Sequence, residues 1–244
     1  MTRRIAIFSD LHGNNAATEA LLGALDTERP DAVYCLGDLV GYGACPNETI
    51  GLIRERDIPT IMGNYDDGVG FDRNDCGCWY KDKDEEARGQ QSLRWTRSVT
   101  TDENKAYLRT LPPEIRFEAG GKRFRLVHGS PRRMNEYLFA DRDPRSLERI
   151  AAQADADVLI FGHAHKPWVR EIGGVLFVNA GSVGKPKDGD PRASWVLLSV
   201  TAGELVEVEI RRQTYDVHAM AAAIRAAEGL PDHFAADIET GGAK

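Results

Sequence analysis

The amino-acid sequence predicts an α/β protein, and three observations carry that reading. Short apolar runs alternate with amphipathic helical stretches through the first third of the chain, the pattern of βαβ units. From Glu114 onward the dominant period changes to two, as in antiparallel strands. Five of the apolar runs also end directly in clusters of Asp, Asn or His, at the carboxyl ends of strands, where open α/β sheets carry their ligands.

Taken in order, a strand at 3–10 opens the chain. Asn14 is placed to N-cap a helix running to about Arg29, with Ala17, Leu21, Leu22 and Leu25 as its apolar face. A strand at 32–38 leads into the loop Gly41-Tyr42-Gly43, and Pro46 sits near position N1 of a second helix. A strand at 58–63 completes two βαβ units, so this half of the sheet is expected to be parallel with right-handed crossovers. The stretch from 68 to 111 has a different texture, dense in charge at 81–88 and flanked by Trp79, Tyr80 and Trp95. It reads as a mostly helical insertion, with Thr100 and Glu103 as the capping box of a short helix before Pro112. Glu114–Glu118 and Lys122–Val127, joined by Gly120 and Gly121, form a hairpin. A helix near 144–154 and a strand at 157–162 follow. Strands at 175–179, 194–200 and 204–211 suggest an antiparallel second sheet, and 215–227 reads as a last helix. The whole, 1–244, is expected to be one domain.

At 244 residues and 42% hydrophobic content the chain can bury a large core. Its net charge of −7 argues against generic nucleic-acid or acidic-membrane binding. It leaves room for a small phosphorylated substrate, because bound divalent cations would supply attraction locally. No apolar run approaches the roughly 18 residues of a membrane span, so a soluble, cytoplasmic protein is expected. Cys35 falls in an apolar strand, and Cys45, Cys76 and Cys78 fall in loops; four cysteines here do not describe a disulfide scaffold.

The chemistry gathers in five places: Asp10-Leu11-His12, Gly37-Asp38, Gly63-Asn64-Tyr65-Asp66, His128-Gly129 and Gly162-His163-Ala164-His165. Singly, each passes for a turn or a cap. Together they offer carboxylate, amide and imidazole donors of the kind that suit first-row divalent ions. The set, in this order, resembles the calcineurin-like metallophosphoesterase superfamily over residues 5–184. Asn179-Ala180-Gly181-Ser182-Val183-Gly184, followed by Asp190-Pro191-Arg192-Ala193, is similar to a branch of small bacterial and archaeal phosphoesterases. The resemblance implies a four-layer αββα sandwich of two mixed sheets flanked by helices. It also implies two divalent ions, one held by Asp10, His12 and His165 and the other by Asn64, His128 and His163, with Asp38 bridging them. Manganese, iron and zinc suit the histidines best, with magnesium also admissible. Hydrolysis of a phosphomonoester or phosphodiester would then follow attack by a hydroxide held between the ions.

One position departs from the family pattern. Relatives acting on phosphomonoesters usually carry histidine where this chain has Tyr65, with the aspartate at position 66 orienting it. A tyrosine of ordinary pKa, about 10, donates protons reluctantly at neutral pH. Tyr65 is therefore either a weak proton donor or an aromatic wall. Arg132 and Arg192 are candidates for holding a substrate phosphate, Arg133 less so. Trp79, Tyr80 and Trp95 could stack a nucleobase, which keeps nucleotides among the candidate substrates, or simply pack. The rival reading is a catalytically impaired binding scaffold, and the intact ligand set argues against it.

Overall fold

In a computed structural model, described for residues 2–203 and 206–242, the chain forms two mixed sheets with helices on both outer faces. The first sheet has the order β2-β1-β8-β9, built from β1 (Thr2–Phe8), β2 (Ala32–Cys35), β8 (Ala193–Thr201) and β9 (Glu207–Gln213). The second has the order β3-β4-β5-β7-β6, from β3 (Glu114–Ala119), β4 (Lys122–Val127), β5 (Val158–Phe161), β6 (Trp168–Ile172) and β7 (Val175–Asn179).

Alternation along β1 explains the layering. Ile5 and Ile7 point into the space between the sheets, where they meet Val196 and Leu198 from β8 and Phe124, Leu126 and Ile160 from the second sheet. Ala6 and Phe8 point the other way, onto Leu21 and Leu25 of α1 (Asn15–Glu28) and Ile50 and Ile53 of α2 (Pro46–Glu55). On the far side, Leu147 and Ile150 of α6 (Pro144–Ala154) cover Leu159, Phe161 and Phe177. The order is helix, sheet, sheet, helix.

The remaining helices are α3 (Asn64–Gly70), α4 (Lys83–Val99), α5 (Asp102–Leu108), α7 (Val217–Ala226) and α8 (His233–Thr240). None is long and apolar enough to cross a membrane. Asn14 caps α1 as expected, its side chain accepting from the Ala17 N–H at 3.0 Å.

Four expectations need correction. The segment expected as a strand at 58–63 makes only a single parallel bridge, Cys35 to Thr60, because Pro59 has no N–H to donate and the chain leaves at Gly63. The strands at 175–179, 194–200 and 204–211 do not share a sheet. β7 lies parallel to β5, whereas β8 runs antiparallel to β1 with Phe8 opposite Trp195 and carries β9 beside it. The near-continuous burial of β8 is that of a central strand, a property period-two alternation does not reveal. Residues 204 and 205 of the third expected strand lie outside the described residues. The cap before Pro112 is shifted by one: Thr101 accepts from the Asn104 N–H, while Thr100 closes α4 by donating to the Thr96 carbonyl. Lastly, β6 and α8 went unrecognised, one an edge strand with three exposed residues and the other only eight residues long.

Candidate metal centre

The carboxyl ends of β1, β2, β4 and β5 open at one end of the sandwich, and the loops there carry the expected ligands. Asp10 and His12 follow β1, Asp38 follows β2, Asn64 begins α3, His128 follows β4, and His163 and His165 follow β5. None is more than 3% exposed. Asp10, His12 and His165 each bring one donor atom within 4.8 Å of the others, and so do Asp38, His128 and His163. The Asn64 Oδ1 lies 3.1 Å from His128 Nε2. The structure therefore gathers all seven into one cluster. A surface groove of about 680 Å³ elsewhere, lined by residues such as Arg54 and Tyr107, brings no histidine.

Backbone strain turns these side chains inward. Asp10, His12, Asp38, His163 and His165 all have φ between 49° and 63°, in the left-handed region. Each such residue costs on the order of 1–2 kcal/mol, and clusters of them mark functional loops. Gly13 and Gly37 turn in the same region, with φ of 61° and 86°. At Gly63 and Gly162 the glycine instead supplies room: φ at Gly63 is an ordinary −92°, but a Cβ there would run into Asp38 Oδ1, and one on Gly162 would collide with Ser9 and Asp10.

The hydrogen bonds behind the rings fix which nitrogen faces the cluster. Nδ1 of His12 lies 3.0 Å from the Val40 carbonyl, that of His128 2.8 Å from Leu36, and that of His165 2.6 Å from Lys185. A carbonyl only accepts, so each Nδ1 carries a proton, and Nε2 is the nitrogen each ring turns inward, a lone-pair donor to a metal ion. His12 Nε2 and His165 Nε2 then face one another at 3.0 Å, two acceptors with no proton between them. Asp10 Oδ1 and His163 Nε2 are buried without hydrogen-bond partners among the described residues. Convergent lone pairs and orphaned acceptors of this kind are satisfied by cations, so the donor set fits divalent metal ions.

Electrostatics agree. Burial by itself would push the Asp10 and Asp38 carboxyls up, but His165 and His12 beside Asp10, and His128 beside Asp38, override it and keep both ionised. Burial lowers His163 and His165 to about 3, helped by the charges of His128 and Lys187 respectively, so both rings are neutral donors. At His128 burial also acts downward, yet Asp38 and Asp10 outweigh it and raise the ring to about 10. Without metal, a proton on His128 partly neutralises the two carboxylates.

Around the cluster the structure revises several roles. Asp66 was expected to orient the residue at 65. Its Oδ2 instead accepts from the Asp38 N–H (2.7 Å) and the Gly63 N–H (3.0 Å), and its Oδ1 accepts from Leu39 (2.9 Å), so both oxygens are spent on tying two ligand loops together. Tyr65 is buried, its hydroxyl has no partner among the described residues, and its ring packs edge-on against His12 (5.6 Å) and tilted against Tyr42 (4.7 Å). Burial pushes its pKa well above 10. Arg132 is bound to Glu136, which also accepts from Ser130 and Arg142, and Arg192 is paired with Asp190 at 2.6 Å. Both arginines are thus already paired with a carboxylate. Their sequence neighbours claim them through short-range pairing that motif reading did not weigh. Trp79 stands 71% exposed, while Trp95 donates its Nε1–H to the Glu228 carbonyl.

Sequence reading missed the groups that stand next to the ligands. Tyr137 stacks on His163 with ring centroids 4.0 Å apart. The Asn64 amide donates to the Cys76 carbonyl (3.0 Å) and to Cys78 Sγ (3.2 Å). Lys185, whose carbonyl orients His165, buries its ammonium against Tyr42 and pairs with Asp237 of α8 at 2.6 Å. Only the position of Lys185, directly after the glycine at 184, signalled a link to the site.

The family model of the calcineurin-like phosphoesterase superfamily domain matches residues 4–203. The chain belongs to the calcineurin-like phosphoesterase superfamily. It is 33% identical over 231 residues to an uncharacterised protein of Methanocaldococcus jannaschii, covering 87% of this chain and 88% of that one. Among solved structures, a metallophosphoesterase from Sphaerobacter thermophilus superposes with a TM-score of 0.77 at 30% identity, covering 99% of this chain and 100% of that one. A hypothetical protein from Pyrococcus horikoshii superposes with a TM-score of 0.83, covering 99% of each chain; at 23% identity this speaks for the fold alone.

Proposed function

We propose that the chain is a metallophosphoesterase that works with two divalent ions, one held by Asp10, His12 and His165 and the other by Asn64, His128 and His163, with Asp38 shared. The observation that carries this reading is the convergence of buried, partnerless lone pairs from loops of both sheets, with three of the imidazoles locked from behind by backbone carbonyls. Asp38 suits the shared position: its Oδ2 lies 3.8 Å from His12 Nε2 of one group and 3.4 Å from His128 Nε2 of the other. Bound ions supply Lewis-acid polarisation of a phosphoryl group and activation of water for in-line attack. The histidine-rich set favours manganese, iron or zinc.

The chain's own residues shape what can be cleaved. Asn64 contributes a neutral oxygen, which adds no negative charge beside an incoming phosphate. Tyr65 holds its proton too tightly to protonate a leaving group, so it acts as a wall that sets the His12 ring. Esters with good leaving groups, aryl monoesters and diesters, are therefore preferred over alkyl monoesters.

The test is a screen of metal-reconstituted protein against matched aryl and alkyl mono- and diesters, with bound metal measured in parallel. Turnover that rises with metal content and falls at least 100-fold in Asp38→Asn is expected, since such sites lose about 3 kcal/mol or more of transition-state stabilisation with a central group. Near-normal turnover in Asp38→Asn with metal saturating would refute the shared position.

A further inference from the structure

Beside the metal centre lies a cavity whose charge the seven ligands do not explain. Cys78 and Tyr137, which touch Asn64 and His163, line it on the cluster side, and Arg88 of α4, Lys185, Lys187 and α8 complete it. Lys185 is neutralised there by Asp237. Lys187 and Arg88 are not: neither forms an ion pair among the described residues, and Arg88 Nε is buried with no hydrogen-bond partner. The one other carboxylate in the lining, Glu85, accepts from the Lys81 backbone N–H at 2.8 Å and, with Asp237, acts electrostatically on Lys187, so three cations in the lining face two carboxylates.

A lining of three cations and two carboxylates keeps a surplus of positive charge, and the buried Arg88 Nε–H lacks an acceptor among the described residues, which together make a place for an anion. Size narrows the choice. The cavity measures about 40 Å³. By the same measure a water needs roughly 10–15 Å³, so the space takes about three waters, or one phosphate group, and no nucleoside. Chemistry narrows it further, since a guanidinium fork and an ammonium are the groups that hold phosphate oxygens.

We propose that Arg88 and Lys187 form a subsite for a second phosphate group of the substrate, so that the chain prefers phosphoesters bearing another phosphate; this rests on the phosphoesterase reading above. The subsite adjoins the metal ligands through Cys78 and Tyr137 but shares no residue with them.

Calorimetric titration of the metal-reconstituted protein with inorganic pyrophosphate and with orthophosphate reads the subsite without turnover. The wild type is expected to bind pyrophosphate more tightly. Arg88→Gln and Lys187→Gln should each cut that preference roughly 10-fold or more, the worth of one charge-assisted contact. Values of kcat/KM for a nucleoside 3′,5′-bisphosphate against the matching 3′-monophosphate should shift by the same factor. Equal affinity for the two anions in the wild type, or an unchanged preference in both variants, overturns the proposal. Binding preference and its loss without turnover of any ester would sink the hydrolase reading and leave the subsite standing; turnover without any preference would do the reverse. Should a glutamine variant fail to fold by its thermal melt, Arg88→Lys or Lys187→Arg carries the comparison, with a partial loss expected.

Discussion

Replacing Asp66 by Asn tests how the ligand loops are held. The carboxylate accepts three backbone N–H groups, two on Oδ2 and one on Oδ1. An amide keeps a single oxygen, and its best orientation preserves the pair from Asp38 and Gly63 while turning Nδ2 toward the Leu39 N–H. One charge-assisted bond is lost and one buried donor is orphaned, a penalty of about 2–4 kcal/mol. Burial, together with the charge of Asp38, holds the Asp66 carboxyl up at about 7, so removing that charge offsets part of the penalty. A net loss of about 2 kcal/mol is expected for Asp66→Asn, and about 4 kcal/mol for Asp66→Ala, which orphans all three donors. Urea denaturation of chelated protein measures this apart from metal binding. Metal affinity should fall too, because the left-handed turn at Asp38 loses its clamp. If both variants unfold within about 0.5 kcal/mol of the wild type, the clamp is wrong. A loss confined to turnover, with stability intact, would instead favour an orienting role toward residue 65.

Lys185→Met breaks a buried ion pair and should cost about 2–3 kcal/mol, less than a fully buried pair because Asp237 keeps some exposure; the double variant with Asp237→Asn should lose less than the sum, as a double-mutant cycle will report. Tyr65→Phe removes a hydroxyl that has no partner, so stability measured by thermal melt should hold within about 0.5 kcal/mol or rise slightly, and hydrolysis of a nitrophenyl ester should change little. Burial pushes the Glu136 carboxyl up, but Arg132 and Ser130 outweigh it and hold it at about 2 against an ordinary 4.5. The stability it contributes is therefore complete above pH 4.5 and lost as pH falls through 2, and acid titration of Glu136→Gln should lack that component.

The positions of the ligands were legible because each sits at a strand end, where a short apolar run and a polar cluster meet in sequence. Asn14 as a cap and Pro46 as a helix start were legible for the same local reason. Sheet membership was not: β8 pairs with β1 across more than 180 residues of chain, and nothing in its own pattern names that partner. Asp66 was misread because its neighbour in sequence, Tyr65, suggested a side-chain partner, whereas its actual partners are backbone N–H groups, two of them 27 and 28 residues away. Lys187 and Arg88 escaped notice since they meet across one cavity from distant parts of the chain, a property of tertiary surroundings alone.

The ligands come from both halves of the sandwich. Asp10, Asp38 and Asn64 leave the first sheet and its flank, while His128, His163 and His165 leave the second. Divalent ions held among them would act as rivets between two layers otherwise joined at that end by apolar contact and a few hydrogen bonds, such as the His163 N–H to Asp10 Oδ2 at 2.9 Å. Free metal concentration then sets how firmly the layers are pinned: a hundredfold excess over the dissociation constant adds about 2.7 kcal/mol for each independent site. Chelation should thus lower the unfolding temperature and, in hydrogen exchange, loosen the strand ends at this rim before the opposite one.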